Sequence, residues 1–209
     1  ANATEAWVTL EADGAKVFDE GIVDLKTGCV TETMPRFNNL TRLMMGSRPD
    51  PFAKGTRADT TKLAETLIAD PAVKADIVRF VGLGRRFGQR RLGPGTIGND
   101  SIAFSADGKT IAVEASEAVF RSNDGGQTYD RLDTNMNRYP TVTADGKWVF
   151  YERCSDPAKR NQACPEASRE VRVVAADNST APRTVKIGSG LLRGLDPTGQ
   201  KLLVVRYDM

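Results

Sequence analysis

Ile102-Ala-Phe-Ser-Ala-Asp-Gly-Lys-Thr-Ile-Ala-Val113 and Pro140-Thr-Val-Thr-Ala-Asp-Gly-Lys-Trp-Val-Phe-Tyr151 are one phrase written twice: an apolar run, a tight turn, a second apolar run. Leu192-Arg-Gly-Leu-Asp-Pro-Thr-Gly-Gln-Lys-Leu-Leu-Val-Val205 is a third copy, with Asp-Pro-Thr-Gly in place of Ala-Asp-Gly, and Val8-Thr-Leu-Glu-Ala-Asp-Gly-Ala-Lys-Val-Phe18 a weaker fourth. In each copy aspartate offers a side-chain acceptor to the turn, and glycine the positive φ that a tight reversal demands. The flanking Ile, Val, Phe, Trp and Leu suit a pleated, buried surface.

Gly108 and Gly146 stand 38 residues apart, Gly146 and Gly199 53, and Gly14 and Gly108 94, which is two units of 47. Periods of about 40 to 50 with several strands in each are the mark of propeller blades; a sandwich built from hairpins is the alternative. Outer hairpins are legible as well. Gly21-Ile-Val-Asp-Leu25 reads as a strand, Lys26-Thr27-Gly28 as a turn and Cys29-Val30 as the return, and Val171–Thr180 with Arg183–Ile187 repeats the pattern around a longer turn. The expected fold is all-β: propeller-like blades in an incomplete ring, with a short helical insertion. The expected division is residues 1–35 as N-terminal blade strands, 36–97 as a helical and Gly/Arg-rich insertion, and 98–209 as propeller-like blades.

Ser122-Asn-Asp-Gly-Gly-Gln-Thr-Tyr129 resembles the Asp-box, the S-x-D-x-G-x-T-aromatic turn of sialidases and related β-propellers. Ser122, Asp124, Gly126, Thr128 and Tyr129 occupy its positions, with Tyr where Trp is usual. In those families the box is a folding element, so the resemblance implies a blade and not an activity. The Asp-Gly-Lys phrases are similar to the repeats of TolB-type periplasmic propellers, over residues 98–209 and more weakly over 5–35. That likeness is specific to architecture.

The chain has no histidine, which removes Ser–His–Asp and Cys–His catalysis and imidazole-ligated zinc or haem together. Twenty-nine Lys and Arg against 27 Asp and Glu leave a net charge of +2, which does not suggest a nucleic-acid partner. No apolar run approaches the roughly 20 residues of a membrane span. The first residue is Ala1, consistent with a cleaved signal peptide or an internal start, and the expected location is periplasmic or secreted. Cys154 and Cys164 flank a loop-like stretch where a bridge would staple a long hairpin; two unpaired thiols are the alternative. Cys29 reads as a half-buried strand residue, and no C-x-x-C pair suggests a metal or redox motif.

Residues 36–97 break the pattern. Asp59 is placed to cap a helix with Leu63, Leu67 and Ile68 on one face. Asp70-Pro71 reads as an N-cap and first helical position, starting a second helix with Val73, Ile77 and Phe80 inward and Gly82 at its end. Arg79, Arg85, Arg86, Arg90 and Arg91 then crowd into thirteen residues. Arginine forks grip carboxylates and phosphates, so this segment is the candidate contact for an anion or acidic protein; a solvated glycine-rich loop is the plain alternative. Asn-x-Ser/Thr sequons begin at Asn2, Asn39, Asn99 and Asn178.

The third phrase runs out after its second strand, which exposes an edge. Either the strands near residues 7–30 complete it, or the chain belongs to a longer propeller or a ring closed by a partner. No catalytic constellation, metal site or cofactor motif stands out. The leading expectation is a non-catalytic module that binds a protein partner. The alternatives are a glycan-acting, sialidase-like hydrolase and a piece of a larger secreted propeller enzyme.

Overall fold

The computed structural model describes residues 4–11, 18–34, 39–40, 43, 57–88, 91–92, 102–115, 118–133, 137–156, 164–165, 168–185, 191–196 and 201–205. Among the described residues it is mostly β, with four antiparallel sheets and two long helices. The chain divides into two compact units, Ala1–Asn38 and Asn39–Met209.

The first unit is a three-stranded sheet of β1 (Glu5–Glu11), β2 (Phe18–Asp24) and β3 (Val30–Met34), in that order. The turn carrying Asp13 and Gly14 lies outside the described residues, but β1 and β2 pair from Glu5 opposite Asp24 to Glu11 opposite Phe18, as a hairpin requires. The β2–β3 turn is built on Asp24, whose Oδ1 accepts the N–H groups of Lys26 and Thr27, while Gly28 takes φ +71°. Cys29 is exposed and precedes β3, so it is not the half-buried strand residue expected.

In the second unit β4 (Arg91–Leu92), β5 (Ile102–Phe104), β6 (Ile111–Ala115), β7 (Ala118–Ser122) and β8 (Asp130–Arg131) form a five-stranded sheet in chain order. A four-stranded sheet follows, β9 (Asn137–Val142), β10 (Trp148–Cys154), β11 (Arg169–Ala175) and β12 (Arg183–Val185), again in sequential order. The last sheet is the hairpin β13 (Leu191–Leu195) and β14 (Leu202–Val205).

Neighbouring residues of a strand point to opposite faces, and this alternation stacks the sheets in series. Ala103, Ala112 and Val119 of the first sheet pack with Val142, Val149, Tyr151 and Val174 of the second. On the second sheet's far side Phe150 and Val171 pack with Leu192, Leu202 and Val204 of the third. The remaining face of the five-stranded sheet is buried too: Ile102, Phe104, Ile111, Val113 and Phe120 are inaccessible to solvent.

Helix α1 (Arg57–Ala69) buries Ala64, Leu67 and Ile68, a stripe at i, i+3 and i+4. Leu63, expected on that stripe, is exposed, and Asp59 sits inside the helix and does not cap it. Helix α2 (Pro71–Arg86) starts as its sequence requires: Asp70 accepts the N–H of Ala72 at 2.9 Å, and Pro71 needs no donor there. Val73, Ile77 and Phe80 are buried. Gly82 does not end it. The inward stripe continues through Leu83 and Gly84, and the helix stops at Phe87, with Gly88 at φ +70°. A mid-helix glycine costs about 1 kcal/mol, which packing of that stripe offsets.

Candidate functional site

Four turns gather at one end of the two larger sheets. The first two are built alike. In the β5–β6 turn Ser105 N–H donates to Thr110 O at 2.9 Å, Ser105 Oγ receives Thr110 N–H at 3.1 Å, and Asp107 takes the Ser105 hydroxyl at 2.6 Å and Lys109 N–H at 3.0 Å. In the β9–β10 turn Thr143, Trp148, Asp145 and Lys147 make the same set, at 3.0, 3.1, 2.6 and 3.1 Å. Gly108 and Gly146 hold φ +74° and +73°, a conformation in which a side chain is strained.

The β11–β12 turn, expected as a longer reversal, is a variant of the same build. Asp177 accepts Ser179 N–H at 2.9 Å, and Asn178, at φ +62°, stands where the others have glycine. In the β7–β8 turn Asp124 accepts Gln127 N–H, Thr128 N–H and the Thr128 hydroxyl at 2.9, 3.0 and 2.6 Å, and the Ser122 hydroxyl at 2.7 Å.

The turns are joined to one another. Ala106 N–H donates to Ala144 O at 2.9 Å and Thr110 Oγ1 to Gly146 O at 2.9 Å, linking the two larger sheets. Within each sheet the outer turn gives one N–H to the same lysine carbonyl: Gly125 to Lys109 O at 2.9 Å, and Ala176 to Lys147 O at 2.8 Å. Arg121, only 1% exposed, crosses between the sheets; its Nη1 donates to Ala175 O at 3.0 Å and its Nη2 lies 3.4 Å from Asp130. A buried guanidinium is tolerable only when held this way. Its place in the apolar run Ala118-Val-Phe-Arg-Ser122 was the available signal.

A second set of joins was not legible at all. Glu114 of β6 accepts Tyr139 N–H of β9 at 3.0 Å, and Glu152 of β10 accepts Leu192 N–H of β13. Glu114 follows Ser105 by nine residues and Glu152 follows Thr143 by nine, while Tyr139 precedes Thr143 by four and Leu192 precedes Asp196 by four. Each phrase therefore hooks the next at an equivalent residue. The third phrase closes its turn as the others do, with Asp196 N–H on Lys201 O at 2.9 Å and Lys201 N–H on Asp196 Oδ1 at 2.8 Å. Its residue in the glutamate position is Val205.

Helix α2 lies against the turn cluster. Lys74 Nζ donates to Gln127 O at 2.7 Å and Arg85 Nε to Ala106 O at 3.2 Å. A Cβ on Gly108 would stand 2.9 Å from Arg85 Cδ, and one on Gly126 3.0 Å from Val78 Cγ2, so both glycines admit the helix. Arg79, Arg85 and Arg86 belong to α2, Arg86 lies over the Phe87 ring at 5.6 Å, Arg91 opens β4, and Arg90 lies outside the described residues.

The turn donors hold Asp107 and Asp145 below the usual carboxylate range, the Ser105 or Thr143 hydroxyl contributing most. At Asp124 burial opposes ionisation, but the donors of Thr128, Ser122 and Gln127 outweigh it and keep the carboxyl well below that range. Burial, then the charge of Asp133, pushes Tyr151 up to about 12. Burial, then Asp124, pushes Tyr129 up further, and its hydroxyl is buried with no hydrogen-bond partner among the described residues. Both phenols stay protonated at neutral pH.

Cys154, the last residue of β10, is bridged to Cys164, with Cα atoms 5.8 Å apart. Arg169 Nε donates to Cys164 O at 3.0 Å, tying Cys164 to the start of β11. Of the sequons, Asn39 donates through Nδ2 to Asp76 at 3.0 Å, Asn178 fills its turn, and Asn2 and Asn99 lie outside the described residues. Among the described residues no group of three or more His, Cys, Asp or Glu is placed to hold a metal ion, and no helix is long and apolar enough to cross a membrane. No protein-family model matches the chain, and no curated protein matches its sequence.

Proposed function

We propose that this chain is a propeller-like binding module that works outside the cytoplasm, periplasmic or secreted, and holds a protein partner without catalysing a reaction. The observation that carries this reading is the engagement of the turn carboxylates: Asp107, Asp124, Asp145 and Asp177 each accept donors of their own turn. These side chains build architecture. Sequential antiparallel sheets, stacked face to face and hooked by Glu114 and Glu152, are what successive blades would present. The Ser122–Thr128 hydrogen bonds support the Asp-box resemblance, and the repeated Asp107 and Asp145 turns support the TolB-type one. The Cys154–Cys164 bridge favours an oxidising compartment.

A sialidase-like hydrolase has less support, because Asp124 is tied into its turn and Tyr129 and Tyr151 are held protonated. The deciding experiment combines two assays on the purified chain. Chemical cross-linking in an extracytoplasmic extract should yield one stoichiometric protein adduct, reduced in a variant with Arg86→Ser, Arg90→Ser and Arg91→Ser. A panel of chromogenic glycosides should be untouched. Turnover of any glycoside without a protein adduct would replace this reading by the hydrolase.

A further inference from the structure

The third phrase is built like the first two, yet its surroundings differ on two sides. Leu203 is equivalent to Ala112 and Phe150, counting from the Ser105, Thr143 and Asp196 turn starts. Ala112 packs on the second sheet and Phe150 on the third, while Leu203 is 57% exposed and Val205 36%. The strands β6 and β10 are each paired on both sides, whereas β14 pairs with β13 alone among the described residues.

Edge strands ordinarily carry a charge that discourages pairing with a foreign strand. The others here obey: Glu5 in β1, Glu32 in β3, Arg91 in β4, Asp130 in β8, Arg138 in β9, Arg183 in β12 and Arg193 in β13. β14 is Leu-Leu-Val-Val, the one described edge strand without a charge. The change from glutamate to Val205 adds a third observation. The hook that receives a further sheet of the same kind is gone, and the surface left is apolar.

We propose that β14 receives an extended strand of a partner protein, laid antiparallel along the edge that no described strand pairs, with apolar side chains of that strand covering the Leu203 and Val205 face. The proposal rests on the protein-partner reading above and names the surface. The repeat also states the chemistry of the guest. β11 occupies the corresponding place beside β10, with Val173 opposite Phe150 and Val171 opposite Glu152, both on the face turned to the next sheet. A guest for β14 therefore carries β-branched residues at alternate positions and no charge between them on that face.

The test uses the full chain and a synthetic peptide of residues 168–185 as the guest. Amide hydrogen exchange of Leu202–Val205 should be fast in the dilute chain alone and slow on adding peptide. A peptide with Val171→Asp and Val173→Asp should have no effect. Leu203→Asp in the chain should weaken binding about tenfold or more, the scale of losing one buried leucine contact. Three results overturn the proposal: no slowing at roughly millimolar peptide, slow exchange already in the dilute monomer, or protection that tracks sedimentation as a dimer, which assigns the edge to a second copy. A cross-linked partner held equally by Leu203→Asp and the parent chain overturns this surface while leaving the proposed function standing.

Discussion

The β9–β10 hairpin and the β13–β14 hairpin come from one phrase of sequence and close their turns with equivalent hydrogen bonds, yet one is half of a four-stranded sheet and the other is a whole sheet. Phe150 of the first lies between two sheets, and the equivalent Leu203 faces solvent. Local sequence thus sets the hairpin, and its rank in the stack is set by what neighbours it finds. Glu152 and Val205 mark the difference. A carboxylate there reaches a backbone N–H of the following sheet, and a valine cannot.

The largest expected effect breaks the better-embedded hairpin. Gly146 is at φ +73°, and a Cβ there would lie 2.9 Å from Thr110 Oγ1 and 3.1 Å from Ser105 Cβ. Gly146→Ala combines left-handed strain with crowding across the two larger sheets and should destabilise by about 2–4 kcal/mol. Gly28→Ala supplies the reference: its φ is +71° but nothing lies within 4 Å, so it should lose only the backbone part, about 1–2 kcal/mol. Denaturant midpoints of the two variants measure the gap, and equal losses would remove the crowding argument.

Glu152→Ala should come next, at about 1–3 kcal/mol, because it strands Leu192 N–H beneath the third sheet. Its signature is local. Amide exchange should quicken in β13, around Leu192, while β5–β7 stay protected. Glu152→Gln keeps an acceptor and should restore most of the protection. Uniform acceleration throughout would mean that Glu152 supports the whole fold and not one join.

These two variants also separate what the sequence disclosed from what it hid. Asp145-Gly146 and Asp70-Pro71 were legible because donor and acceptor lie within a few residues of each other, so the chemistry is written side by side. The Cys154–Cys164 pairing, left open against two free thiols, is likewise short in sequence. Glu152 and Leu192 are 40 residues apart, and Arg121 and Ala175 are 54 apart, and no local pattern couples them. Gly82 misled for a related reason. Its own propensity says stop, but burial of Leu83 and Gly84 carries the helix on to Arg86. The contacts of Arg85 with the Ala106 carbonyl and of Arg86 with the Phe87 ring were likewise not announced by any local pattern.

Acid gives a smaller, graded effect. Asp107 and Asp145 have folded pKa values below the unfolded ones, so their contribution is complete above the ordinary carboxylate range and is lost as pH falls through the folded values. Thermal midpoints should be level from about pH 8 to 5 and decline below about pH 4. Asp107→Asn with Asp145→Asn should start lower at neutral pH and decline less steeply. A decline that begins near pH 6 would point to groups other than these turns.

The smallest effect is the sharpest test of the comparison, because it asks equivalent positions to behave differently. Phe150 fills the space between β10 and the third sheet, so Phe150→Ser removes an aromatic contact and leaves a hydroxyl among Val171, Leu192 and Val204. Because Phe150 is only partly buried, a loss of about 1–2 kcal/mol is expected, below the figure for a fully buried aromatic. Leu203→Ser touches a side chain already 57% exposed, and the midpoint of the isolated chain should move by less than about 0.5 kcal/mol in either direction. If the two substitutions cost alike, Leu203 is covered in the free chain, and the contrast between a completed and an open repeat fails. If Leu203→Ser is silent alone but costly once the 168–185 peptide is bound, that side chain does for the assembled sheet what Phe150 does within the chain.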